Sequence, residues 1–577
     1  MMKFIEKHYF FLLMFTGMLI GTYLRLYRLG SQIIWDDEWH GIHSAIFNSL
    51  KNIVTHFYLN DNCIPLAIYY KIMLESIGLN EIIIRLPQLL SGILIIIIFP
   101  LIIKRLINKR VAILFLFMLV ISPLLIYYSR LARPYSIVVF LSFISIFSFY
   151  LWMTERKRIY VLVYLVSAVL APYFSLSSLA FVSAPILYSI IMSLTKRILS
   201  FKNAGKNILQ VKHVAFITFA LIAGIAIWLL PAVGTLSEVI KKNGQGFVDL
   251  GTLGGCAFLF CGSNSYIICF AMLVLFMYGL CVFYDTNKLL LSYLCSICLF
   301  QLLFILVTRP NLVQHSTIFT RYSISSLPIW LLIISLALNE LHSKLSIFMQ
   351  KKTKLANAFS YLILLWLLLL AFLKGPVTDA YSFPNDFTNH KDFQYNYLDR
   401  ALNRAGVREK LYPDFYLDLK NQVRNMTLIE YPAIISWTWN IFHVYQSFHH
   451  NRVLVGYDSG VFGPFFGYDT FNNKNIKFRN FIDISNPRLL LNSGADFVIL
   501  HKNIWKECVA VGLYSPAKRH KMESRLTILS ASNRKGLQKY VARVNTHLEK
   551  VLGEPFYEDD WITVYKIKLH AYDPYPH

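Results

Sequence analysis

The sequence predicts a mostly α protein, with a polytopic helical membrane domain of about eleven spans and a C-terminal extracytoplasmic α/β domain. Three observations predict it. The 577 residues are 56% hydrophobic and only 15% charged. The apolar content fills residues 8 to 373, and from about Gly375 the chain turns polar and mixed. A composition break of that size marks a domain boundary. Basic residues recur in short tracts between apolar segments, where lysine and arginine set topology. The domains are therefore read as 1–374, including a long first outer loop at 29–85, and 375–577.

A helical span needs roughly twenty apolar residues. Such stretches lie near residues 8–28, 86–103, 112–128, 135–153, 159–172, 174–194, 213–233, 265–284, 289–307, 322–338 and 355–373. The fifth is short, and its border with the sixth falls at Pro172. The first has no small-residue cleavage site and reads as a retained anchor, not a signal peptide. Lys3 and Lys7, Lys104 to Arg110, Arg156 to Arg158, Lys196 to Lys212 and Lys344 to Lys354 then share one side. The positive-inside rule makes that side the cytoplasm. A multi-pass protein of the cell membrane (inner or plasma) is expected, with a cytoplasmic N-terminus and an extracytoplasmic C-terminal domain. The net charge of +24 suits nucleic acid as well, but much of it lies in these tracts. Membrane lipids are the expected partner, and nucleic acid is not.

The first outer loop opens with Ile34-Trp35-Asp36-Asp37-Glu38-Trp39-His40. Tryptophans favour the headgroup level of a membrane. Carboxylates packed together raise the affinity of at least one for a proton or a cation, which suits a general base or a metal ligand. The competing reading is a solvated loop that caps a helix. Further on, Ala45–Phe57 and Leu66–Ile77 have helical apolar spacing, and Pro65 suits the first turn of the second helix. Both read as amphipathic helices along the membrane surface. Asp61 lies between them. The later outer loop, 234–264, is rich in glycine and reads as a flap.

Three arginines run against the topological bias. Arg130 and Arg133 lie in the short outer turn Ser129-Arg-Leu-Ala-Arg-Pro-Tyr135, and Arg321 ends the Thr308–Arg321 loop. Any one of them is explained by snorkelling to headgroups. Three on the face of the acidic loop favour a shared anion, because the guanidinium fork binds phosphate oxygens by paired hydrogen bonds.

The eight cysteines are too scattered for a disulfide scaffold. Cys256 and Cys261 share an outer loop and are the pair expected to bridge in an oxidising compartment. Cys295 and Cys298 have zinc-like spacing but sit inside a span and read as core. In the tail, Phe497–Leu500 and Trp561–Ile567 read as strands and Leu537–Val551 as a helix. Trp437, Trp439 and Tyr445 read as core more than as a sugar platform.

Together these residues resemble the GT-C membrane glycosyltransferases, in particular the protein O-mannosyltransferase and lipid A aminoarabinose-transferase branch. Four features match in order. Asp37-Glu38 matches the Asp-Glu of the first outer loop. Asp61-Asn-Cys-Ile-Pro-Leu-Ala-Ile-Tyr-Tyr70 is similar to Asp-x-His-Pro-Pro-Leu-x-Tyr-Tyr. Ser129–Tyr135 resembles an Arg-x-Ala-Arg-Pro-Tyr turn, and Arg321-Tyr322 an Arg-Tyr pair that opens a late span. The family's His and first Pro are Cys63 and Ile64 here, and Asp36 is an additional acid. Tyr445-Gln-Ser-Phe-His-His450 and Gly494-Ala-Asp-Phe-Val-Ile-Leu500 loosely resemble related soluble tails.

The resemblance implies a GT-C type membrane domain that moves a sugar from a polyprenyl-phosphate donor to a glycan, lipid or protein acceptor, with inversion. It implies Asp37 as base, with Glu38 and Asp61 orienting the acceptor. It implies Arg130, Arg133 and Arg321 as donor-phosphate contacts supported by Tyr322. A divalent cation (Mg or Mn) held by Asp36, Asp37 and Asp61 fits hard oxygen ligands. The rival readings are a lipid or glycan transporter or flippase and a non-catalytic envelope assembly protein. A transporter favours mid-span charges or broken, repeated helices, and an assembly protein leaves the acidic loop unexplained.

Overall fold

The computed structural model describes residues 2–34, 36–57, 63–198, 211–241, 244, 246–263, 266–348, 413–421, 426–432, 442, 445–446, 449–457, 479–504, 506–507 and 531–567. The expected span at 355–373 and the residues Asp61, Trp437 and Trp439 lie outside them. The chain divides into two compact units. The first holds Met1–Tyr27, Leu50–Ala67 and Arg85–Ser382, and the second Arg28–Ser49, Ile68–Ile84 and Phe383–His577.

The first unit is helical. Its apolar helices are α1 (Met2–Leu26), α5 (Glu81–Leu106), α6 (Lys109–Ile121), α7 (Pro123–Ser129), α8 (Tyr135–Glu155), α9 (Arg158–Phe174), α10 (Leu179–Ile198), α11 (Val211–Leu229), α14 (Tyr266–Thr308) and α16 (Leu327–Phe348), with α13 (Leu250–Cys261) and α15 (Ser316–Ser323) in the connections. Among the described residues, six helices are long and apolar enough to cross a membrane, or seven if α6 and α7, bent by 60° at Ser122, are one span. This is a multi-pass membrane protein. This count is of the described residues, which leave out the expected span at 355–373. Residues 158–174 are apolar but short. Residues 266–308 run on as one helical segment of 43 residues, which would be about 64 Å if straight.

That segment is not straight. Asn287 has non-helical dihedrals (φ −155°, ψ 79°), and its side chain accepts the Leu290 N–H at 3.0 Å as a new N-cap. Phe276 stacks on Trp330 at 3.9 Å, while Gln301 donates to the Tyr322 carbonyl at 2.8 Å. A straight helix advancing along α16 from Phe276 would carry Gln301 well beyond Trp330. Gln301 instead meets the residues that precede Trp330, so the chain reverses at Asn287. The two stretches read as 265–284 and 289–307 are the arms of that hairpin.

Within this unit two of the basic tracts meet. Lys104 sits 4.4 Å over the Phe10 ring, and Arg105 pairs with Glu155, which also pairs with Lys157 at 3.2 Å. Helix α8 packs through its whole circumference, with Phe143 stacked on Phe99 at 3.7 Å, as befits an apolar helix buried in a bundle.

The second unit is built on a six-stranded sheet of order β3-β2-β1-β4-β6-β5. Strands β1 (Thr427–Tyr431), β2 (Arg452–Tyr457), β3 (Phe481–Asp483) and β4 (Phe497–His501) are parallel. Strands β5 (Tyr557–Glu558) and β6 (Ile562–Lys566) close the other edge antiparallel. Strands β1, β2 and β4 are buried along nearly their whole length, as in a sheet covered on both faces. The strands expected near 497–500 and 561–567 and the helix near 537–551 are present as β4, β6 and Ala531–Leu552. Tyr445 is core, fully buried.

The same unit holds part of the first outer loop. Gln446 accepts the Ile33 N–H at 3.0 Å and donates to the Ser31 carbonyl at 2.6 Å. Arg479 donates from its backbone to Leu79 and from Nε to the Ile77 carbonyl, and Asn480 donates to Glu81 at 2.7 Å. These bonds attach both ends of the loop to the tail domain. Composition has no means of showing such bonds.

Candidate functional site

The turn between α7 and α8 is tight. Arg130 closes α7 by donating its N–H to the Tyr127 carbonyl, and Arg133 donates to Leu131. Pro134 then sets the N-terminus of α8, so Tyr135 is its first residue. The Tyr135 ring is the meeting point of two of the three arginines singled out in the sequence. The guanidinium carbon of Arg133 lies 5.9 Å from its centroid, and that of Arg321, on α15, lies 5.7 Å away. The Tyr128 ring packs against it at 4.8 Å. Arg321 is largely buried, 7% exposed. A ring face attracts cations, and here one ring draws two of them. Guanidinium forks are suited to the oxygens of an anion.

Arg130 has a different surrounding. Its Nη1 donates to the Leu24 carbonyl at 3.0 Å, in the last turn of α1. Helix ends leave carbonyls without an intrahelical partner, and a cation there also meets the negative end of the helix dipole. Arg130 thus braces α7 onto α1. Sequence reading did not single out Arg25. Fully buried, it donates to the Gly21 carbonyl at 3.0 Å and the Leu119 carbonyl at 3.3 Å. It looked like the polar end of a span. Tyr135 was visible in the motif, but its place between two arginines depends on a loop far away in sequence. Tyr322 donates its hydroxyl to the Asn311 carbonyl at 3.2 Å, and its own carbonyl accepts from Gln301.

The acidic motif opens helix α2 (Asp36–Phe47), so Asp36 and Asp37 stand in a first turn, where negative charge is favourable. The side chains of Asp36 and Asp37, and all of Asp61, lie outside the described residues. Glu38 is fully buried, and with Ile42 and Ala45 it forms the buried stripe of α2. Gly41 sits on the same helix against Tyr70, where a Cβ would come within 2.9 Å of the ring. Among the described residues no group of three or more His, Cys, Asp or Glu is arranged to hold a metal. The side chains of the expected ligands Asp36, Asp37 and Asp61 are outside that search.

The glycine-rich outer loop is structured where it is described. Asp249 caps α13 through the Thr252 N–H at 2.7 Å, which holds its carboxyl below the usual range. Thr252 Oγ1 reaches the Gln314 carbonyl at 2.8 Å, and Gly255 lies against Ser316. Helix α13 is thereby seated on α15, the helix of Arg321.

The tail domain carries a buried ionisable cluster at the carboxyl ends of β1 and β4. His501 Nε2 lies 2.7 Å from Glu430 and its Nδ1 2.7 Å from Glu507. Tyr416 donates to Glu430 at 2.9 Å and Tyr445 donates to Glu507. Burial alone would lower the His501 pKa, but the two carboxylates outweigh it and hold it at about 10. In parallel sheets, ligands favour the point where strand order reverses, here between β1 and β4. The protein's own side chains fill it, so the cluster is a packed ionic core.

No family model and no curated protein matches the chain. Two solved structures of ArnT from Cupriavidus metallidurans are similar to it. The apo structure has a TM-score of 0.43 and 12% identity, covering 96% of this chain and 97% of that one. The structure bound to undecaprenyl phosphate has a TM-score of 0.44 and 11% identity, covering 87% and 95%. Likeness at this level assigns no residue a role.

Proposed function

We propose that the chain is a GT-C type membrane glycosyltransferase that moves a sugar from a polyprenyl-phosphate donor to a glycan, lipid or protein acceptor on the extracytoplasmic face. The observation that carries this reading is the placement of Arg133 and Arg321 around one Tyr135 ring. The order of motifs resembling that family supports it. An acceptor hydroxyl or amine attacks the anomeric carbon, the bond from carbon to phosphate oxygen breaks, and the configuration inverts. Charge grows on the departing lipid phosphate, and fixed guanidinium groups stabilise it without reorganising. Asp37 takes the acceptor's proton.

The geometry refines the other assignments. Arg133 and Arg321 are the proposed phosphate contacts, and Arg130 is proposed as a brace with at most a shared contact. Glu38, being fully buried, is proposed to position α2, which carries Asp37. Asp61 is proposed to orient the acceptor, and Tyr322 to hold the loop behind Arg321. A divalent cation held by Asp36, Asp37 and Asp61 is a separate proposal, tested by metal titration of donor binding.

The test is a radiolabelled polyprenyl-phosphate sugar offered to the purified protein in vesicles. Transfer of label with release of the lipid phosphate is the expected result. Movement of intact donor across the bilayer would overturn the reading in favour of a flippase, and no interaction with donor would favour an assembly role.

A further inference from the structure

We propose that Cys261 and Cys269 are a disulfide-forming pair that ties outer helix α13 to span α14, resting on the proposed outer placement of this connection. Cys261 is the last residue of α13, and Cys269 lies in the first turn of α14. Between them the chain turns through Gly262, whose φ of 75° is left-handed and whose N–H caps α13 at the Phe258 carbonyl. The Cys261 sulfur lies 3.8 Å from the Cys269 carbonyl oxygen, and the Cys269 sulfur 3.2 Å from the Ser263 carbonyl oxygen. The Cys261 thiol thus reaches the backbone of Cys269 itself, the proximity from which a bridge starts.

The pairing differs from the one expected of the sequence, Cys256 with Cys261. Those two lie five positions apart on α13, so they point to different sides of the helix. The Cys256 sulfur lies instead 3.6 Å from Ser323 Oγ on α15.

The chemistry is thiol–disulfide exchange with an extracytoplasmic dithiol oxidant in its disulfide form. The thiolate of one cysteine attacks an oxidant sulfur, and the second cysteine displaces the mixed disulfide. One S–S bond forms in this protein and one is lost from the oxidant, which leaves as a dithiol carrying the two protons. Both cysteines are buried in the finished fold, 5% and 6% exposed. The exchange therefore belongs to assembly, and burial then shields the bridge from reductants. Its consequence reaches Arg321. Helix α13 backs α15 through Gly255 against Ser316 and Thr252 against Gln314, so the bridge fixes the helix on which Arg321's support rests.

The test is differential alkylation of the full-length protein from acid-quenched cells. Free thiols are alkylated under denaturation without reductant, and the remainder after reduction with an isotopically heavy reagent. Cys261 and Cys269 should carry mainly the heavy label, with the unreduced linked peptide two hydrogens lighter than the sum of its parts. Cys269→Ser should convert Cys261 to the light label, and Cys256→Ser should leave the pattern unchanged. Light label on both cysteines in the unaltered protein, or a Cys256–Cys261 linkage, would overturn the proposal. The readout needs no transferase activity, so its failure leaves the proposed reaction standing.

Discussion

Arg133 and Arg321 lie on connections far apart in the sequence of the membrane unit yet approach the same ring, 5.9 and 5.7 Å from the centre of Tyr135. If they grip one phosphate, their effects must be coupled. Arg133→Lys and Arg321→Lys should each weaken donor binding although charge is kept, because lysine lacks the fork. The double variant should lose less than the sum, by about 0.5–3 kcal/mol of interaction energy. Strict additivity in a donor-binding titration would separate the two arginines functionally.

Arg130 is predicted to behave differently. Its bond to the Leu24 carbonyl is buried, and a charged hydrogen bond contributes about 1.5–3 kcal/mol. Arg130→Gln should therefore lower the thermal midpoint of the detergent-solubilised protein, while donor affinity in the surviving folded fraction changes little. A fall in donor affinity at unchanged midpoint would return Arg130 to the phosphate.

Much of this was legible in the sequence, and the boundary between what was and was not is physical. Spans, sidedness tracts and the turn at Ser129–Tyr135 depend on local composition and spacing. So does the hairpin at Asn287, because Asp285-Thr-Asn-Lys288 interrupts an apolar run. The convergence of Arg133 and Arg321 on Tyr135 required two distant loops to meet, which no spacing reveals. Glu38 read as an acceptor-orienting acid, and only the register of α2 shows it buried with Ile42 and Ala45. The bond between Gln446 and Ile33 joins the two ends of the sequence. Gln446 stood in a quoted segment, but nothing local gave it a partner.

That bond is itself testable. Gln446→Leu removes two hydrogen bonds to the segment just before Asp36, one of them from the buried Ile33 N–H. Amide exchange at Ile33 should quicken about tenfold or more, since a lost buried hydrogen bond costs about 1–3 kcal/mol. If Asp37 is the base, turnover should fall with donor affinity retained. Unchanged exchange at residues 31–38 would show that the tail does not hold the acidic helix.

The His501 cluster sets a pH dependence of stability. The folded pKa of about 10 lies above the unfolded value of about 6.5. Its contribution is therefore fully present below about 6.5 and declines as pH rises through about 10. Tyr416 and Tyr445 face the cluster, with Tyr416 pushed well up by burial. His449, stacked on Tyr416, is held down at about 3 by burial, so it is neutral across the window. Thermal unfolding should show falling stability from pH 7 to pH 10, and a folded His501→Gln variant should lack that slope. Glu507→Gln, which breaks a buried pair, should cost about 3–5 kcal/mol.

The most direct test of the central claim is the single-turnover rate of sugar transfer by Asp37→Asn, measured with donor affinity on the same preparation. General-base contributions are about 10²–10⁴-fold, so the rate should fall by that factor while donor affinity stays near that of the unaltered protein. Asp36→Asn should be milder, and Glu38→Gln should act through the packing of α2. A folded Asp37→Asn protein that transfers sugar at the normal rate would contradict the account.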